Sequence, residues 1–146
     1  MIPEEINTLE AVFNQSLKAA LDNIAPEKID EILANRDSAE FSDEWMKAYQ
    51  AIEEKPFDEK TEDKISDIRK EIFVSTFRST GSSDLPAYIS DDFGLICAYY
   101  IHQIENSWVT NLLFTYLHHK IPQGELMKTD KTIKELIDQE IQYKEQ

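Results

Sequence analysis

The stretch from Leu85 to His119 limits the fold more than any other part of this chain. It holds three acids, Asp91, Asp92 and Glu105, and no Lys or Arg, in a chain that is otherwise dense in charge. Seven of the fifteen aromatic residues fall in it. Its centre, FGLICAYYIHQIENSWVTNLLFTYLHH, reads as two apolar helices that meet at Glu105 and Asn106. A helix that is apolar on more than one side belongs in the middle of a structure. The expected fold is therefore all-α: a single-domain bundle over residues 1–146, with six to seven helices around an apolar helical hairpin at 85–120. With only three glycines and five prolines among 146 residues, the chain is poor in the turns an all-β fold requires.

The flanking segments carry helical spacing. Residues 3–24 place Ile6, Leu9, Phe13, Leu17, Ala20, Leu21 and Ile24 on one stripe, with Pro3, Glu4 and Glu5 suited to a first turn. A short helix is expected at 26–35. A third follows at 38–54, capped by Ser38, with Phe41, Trp45, Ala48, Tyr49 and Ile52 inward. EEKPFDEKTED reads as a loop. A fourth helix from Thr61 to Ser79 buries Ile65, Ile68, Ile72, Phe73 and Phe77, although IFVSTF also has strand-like content. STGSSDLP is expected to be a loop, and Ser90 to cap the fifth helix with Asp91 and Asp92 in its first turn. The sixth helix is expected at 107–120 and the last at 129–143.

Composition removes several functional classes. A net charge of −14 is unsuited to bare nucleic acid or an anionic membrane, both of which need clustered Lys and Arg. It suits a basic protein partner, whose approach it accelerates. A lone cysteine, Cys97, excludes an internal disulfide and fits a reducing compartment. The N-terminal sequence has no signal-peptide pattern, and the longest stretches without charged residues are shorter than a membrane span. A cytoplasmic location is expected.

No catalytic or metal motif is present. His102, His118 and His119 lack HExxH or HxxxH spacing, and adjacent histidines on a helix point about 100° apart. Cys97 lies in an apolar helix, without the electropositive setting of a nucleophile. TGSSD has one glycine and no following Lys, so it is no P-loop. FDEKTED lacks the glycine and final Glu of a calcium loop. Asp92, Tyr99, His102 and Glu105 are the only candidates for a small catalytic face; caps, turns and packing explain them equally well. No cofactor or metal is expected.

Charge distribution says more. Residues 22–63 hold 14 acids and 5 bases. Asp37, Glu40 and Glu44 stand at i, i+3 and i+7, beside the Phe41–Trp45–Tyr49 stripe. Acids bordered by large aromatics suit the binding of a basic protein, the acids steering and the aromatics anchoring. The expected contact surface is Asp37, Glu40, Asp43, Glu44, Glu53, Glu54, Asp58 and Glu59, with Trp45 as anchor. A solvated face beside core aromatics is the plain alternative.

A small, acidic, helical chain without catalytic motifs resembles the bacterial immunity proteins that neutralise nuclease or other basic toxins. The segment YISDDFGLI (88–96), running into AYYI, has the look of such small bacterial domains. The chain differs in length from the short colicin-type immunity proteins and has no DPYYP-like run, so no functional residue is carried over. The resemblance implies an inhibitor that occludes a toxin's basic cleft with an acidic surface. A helical adaptor for a partner that is not a toxin is the second reading, and it requires an exposed apolar groove instead.

Overall fold

The computed structural model describes residues 4–145; Pro3, expected in the first turn, lies outside them. The described residues form seven α-helices and one 3-10 turn, with no strand. The helices are α1 (Glu4–Asp22), α2 (Ile29–Asp37), α3 (Ala39–Ile52), α4 (Glu59–Thr80), α5 (Asp84–His102), α6 (Ser107–Leu117) and α7 (Ile133–Glu145), with the 3-10 turn at Pro26–Lys28. The expected all-α bundle around an apolar hairpin is present. Helix α5 touches α1, α2, α3, α4 and α6. Leu85, Ile89, Phe93, Ile96 and Cys97 are wholly buried along it.

Local chemistry sets several helix ends. Asp58 caps α4, its Oδ1 accepting the Thr61 N–H at 2.8 Å. Gly81 ends α4 with φ of 71°, a left-handed conformation that costs glycine nothing. Asn106 caps α6 through its Oδ1 on the Val109 N–H. Thr132 and Glu135 form a reciprocal capping box at the start of α7. Ser38 precedes α3 as expected, but its hydroxyl donates back to the Asn35 carbonyl and makes no cap bond.

Three expectations are corrected. Helix α5 starts at Asp84, six residues before Ser90, and the loop before it shrinks to 81–83. Pro86 is no obstacle, because a first-turn N–H has no helical partner to lose. Asp91 and Asp92 therefore lie in mid-helix. Next, α4 is helical through IFVSTF, but Phe77 is 47% exposed. It stands roughly 140° around the helix from Ile72 at about 100° per residue; the buried line is Ile65, Ile68, Ile72 and Thr76. Finally, α2 ends at Asp37 and α3 begins at Ala39, so Asp37 is not on one helical face with Glu40 and Glu44.

The mid-helix Asp92 is wholly buried and fully partnered. Arg36 of α2 donates to both of its oxygens at 2.7 Å. Trp45 of α3 donates its indole N–H at 2.9 Å, and Tyr116 of α6 its hydroxyl at 2.6 Å. Arg36 also donates to the Pro122 carbonyl at 3.1 Å and lies over the Phe41 ring at 4.6 Å. Burial by itself would lower the pKa of the Arg36 guanidinium, but the Asp92 carboxylate outweighs that and raises it. One carboxylate thus joins α2, α3, α5 and α6.

Removing one member of such a pair strands the other charge. Arg36→Met is expected to cost about 3–5 kcal/mol. Adding Asp92→Leu is expected to recover most of that loss, because the stranded charge goes too. Urea unfolding measures both, and a double variant no more stable than Arg36→Met contradicts this account. A second expectation concerns alkaline pH. Burial pushes the Cys97 thiol from 9.0 up to about 12. The unfolded chain then releases this proton before the native one does, so stability is complete below pH 9.0 and falls as pH rises toward 12. Unfolding at stepped pH across that window should show a flatter slope in Cys97→Ala.

Candidate partner-binding surface

Helices α3 and α4 both pack on α5 but make little contact with each other. The space between them is an open groove of about 700 Å³. Trp45, Met46, Tyr49 and Glu53 form the α3 wall, and Glu62, Ser66 and Arg69 the α4 wall. Asp91, Gly94, Leu95 and Ala98 of α5 make the floor. Past Trp45 and Asp91 a smaller cleft of about 240 Å³ continues toward Asp37 and Tyr88.

Helical geometry assigns the α3 side chains. Phe41, Ala48 and Ile52 are buried and form one line. At about 100° per residue, Trp45 falls roughly 40° to one flank of that line and Tyr49 roughly 80°. Met46 and Glu53 fall further round on the same flank. Trp45 is therefore half-buried, while Met46 and Tyr49 are 45% and 42% exposed at the groove's mouth. The Trp45 and Tyr49 rings stack at 5.7 Å.

At the floor, Arg69 pairs with Asp91. The Arg69 side chain lies against Gly94, where a Cβ would stand 3.4 Å from its Cδ, at van der Waals contact. Burial raises the pKa of Asp91, against the lowering pull of Arg69, and the neighbouring Asp92 raises it further. The far end is closed by the 53–58 loop. His102 Nε2 bonds the Lys55 carbonyl at 2.9 Å, and the His102 ring stacks on Phe57 at 4.6 Å.

The expected contact residues divide into two groups. Asp37, Trp45 and Glu53 line the groove and its extension. The Asp37 carboxylate accepts the Tyr88 hydroxyl, and the Trp45 N–H is held by Asp92. Glu40, Asp43 and Glu44 point away from the groove, on the other flank of α3 at about 100° per residue. Glu40 and Asp43 are exposed; Glu44 is half-buried and pairs with Lys47 at 3.4 Å. Glu54 is exposed in the loop, Asp58 caps α4 and Glu59 opens that helix. The Thr61 amide, donating to Asp58, lowers that carboxyl's pKa.

Met46, Tyr49, Phe57 and Glu62 were not among the expected contacts. Tyr49 looked inward because Trp45 and Tyr49 repeat at i, i+4, yet Phe41, Ala48 and Ile52 already complete a buried line without it. Three of the four residues considered for a catalytic face are engaged elsewhere. Asp92 holds Arg36, Tyr99 donates to the Ala48 carbonyl at 2.8 Å, and His102 pins the loop. Glu105 is exposed. Among the described residues no group of His, Cys, Asp and Glu could hold a metal ion, and no helix is long and apolar enough to cross a membrane.

If His102 holds the groove's end closed, His102→Ala should quicken amide exchange at residues 54–58 by about tenfold while core amides in α5 keep their protection. Hydrogen-exchange mass spectrometry reads both regions at once.

No curated protein matches this sequence. A family model described as "Immunity protein PIM1" matches residues 7–123, which take in α2 to α6, the Arg36–Asp92 pair and both walls of the groove. The chain belongs to that family of immunity proteins.

Proposed function

We propose that this immunity protein silences a toxin whose contact surface is basic, by covering the toxin's active cleft with the face built from the end of α2, α3, the 53–58 loop and the start of α4. A nuclease, whose cleft must be basic to hold phosphates, fits that description. The observation that carries the reading is the company of the groove: exposed Met46 and Tyr49 stand at its mouth, inside a segment, 37–63, with ten acids and three bases. Large exposed side chains of this kind supply buried contact area, and the surrounding acids supply attraction at a distance.

The two flanks of α3 then have different duties. Glu40, Asp43 and Glu44, with Glu54, Asp58 and Glu59, act before contact by steering the basic partner. Their influence extends about 8 Å at physiological salt. Asp37, Trp45 and Glu53 act after contact, on the groove side. Inhibition takes place in the cytoplasm, where the acidic chain meets a toxin without crossing a membrane.

Affinity capture from the source cell at low and at high salt identifies the partner, and growth rescue on co-expression confirms neutralisation. Glu40→Lys with Glu44→Lys is expected to slow association by about tenfold and to leave dissociation nearly unchanged, as rim charges do. Stopped-flow binding at two salt concentrations measures this. An affinity indifferent both to salt and to the two reversals would sink the electrostatic mechanism.

A further inference from the structure

We infer that the groove between α3 and α4 is a socket for one arginine side chain of the toxin, received between Glu53 and Glu62; this rests on the reading of a basic partner given above. Glu53 stands on the α3 wall and Glu62 on the α4 wall, both exposed. Neither has an ion-pair partner among the described residues. The groove, about 700 Å³ and open to solvent, has ample room for an arginine side chain.

The chemistry of the walls selects the occupant. An apolar helix laid here would strip water from Glu53 and Glu62 without giving them partners, which is costly. A second copy of this chain would bring another net charge of −14 against the first. A cation gives Glu53 and Glu62 a partner; of the two cations that also line the groove, Arg69 is already paired with Asp91, and Lys55 lies in the loop at the far end. Arginine fits better than lysine, because its planar guanidinium stacks on aromatic faces and forks onto carboxylates. Tyr49 and Trp45 offer the aromatic surface, stacked on each other with Tyr49 exposed. Of the protein's own arginines, Arg36 already uses this whole pattern and Arg69 its carboxylate half. Arg69 lies on the groove floor against Gly94 and pairs with Asp91. Arg36, deeper in, pairs with Asp92 and lies over Phe41. The toxin's arginine would be the third in the row, and the only one supplied from outside.

The test uses the intact protein and three short peptides of neutral sequence, carrying a central arginine, lysine or citrulline. Citrulline keeps the shape and removes the charge. In NMR titrations the arginine peptide is expected to give saturable shifts at the Trp45 indole N–H, the Met46 methyl and the Gly94 amide. The lysine peptide should bind more weakly, and the citrulline peptide should not bind. Glu53→Gln and Glu62→Gln should each weaken the arginine peptide at least tenfold. Ser66→Trp, at an exposed position on the α4 wall, should fill the socket and abolish binding while the melting temperature holds. Equal binding of citrulline, saturable shifts confined to other surfaces, or no groove shifts up to tens of millimolar peptide overturns the socket. A captured basic toxin provides the separation from the broader reading. If Ser66→Trp leaves its affinity intact while Glu40→Lys with Glu44→Lys reduces it, the socket fails and the acidic-surface reading stands. If neither changes it, both fail.

Discussion

A single carboxylate, Asp92, fixes the arrangement of half the helices. It sits in the middle of the central helix, out of water, and would be costly there unless paired. No Lys or Arg occurs between Leu85 and His119, so its cation has to come from outside that stretch. It comes from Arg36, at the end of α2, and the pair is bidentate. Trp45 and Tyr116 supply the other two hydrogen bonds. The bridge holds the corner between α2 and α3 against α5. Its contribution is geometric as much as energetic: a fork-on-fork pair admits one orientation, where apolar contacts alone admit several.

The groove follows from that placement. With α3 anchored to α5 by Asp92 and by the Tyr99 hydroxyl on the Ala48 carbonyl, α3 cannot slide over to meet α4. Helix α4 is separately held by its extensive packing along α5. The floor between them stays open. Gly94 deepens it, and the loop pinned by His102 closes one end. Trp45 belongs to both worlds, since its N–H is spent on the buried carboxylate while its ring forms part of the groove wall. A partner pressing on that ring would press on the interaction that positions α3.

Much of this was legible without coordinates. Apolar periodicity identified every helix, and the apolar stretch without Lys or Arg identified the centre. The acidic region at 37–63 was visible as a charge run with aromatics in it. What periodicity could not resolve was the width of a buried stripe. Phe77 and Tyr49 both extend an i, i+4 series, yet both stand off the face that neighbours cover, and both are exposed. The same spacing admits either outcome, because exposure depends on where the next helix lies. The start of α5 was misplaced for another reason: a proline after Asp and Leu suits a loop and a first helical turn equally.

The sequence by itself determined that this chain is helical, acidic and built around one apolar segment, because each of these is a property of composition or of local spacing. Only the tertiary structure decided that Asp92 is a buried ion-pair acceptor and no helix cap, because its partner lies 56 residues away. Only the tertiary structure divided the acids of α3 between a groove side and an outer side, because a helix has two flanks and its neighbours choose between them.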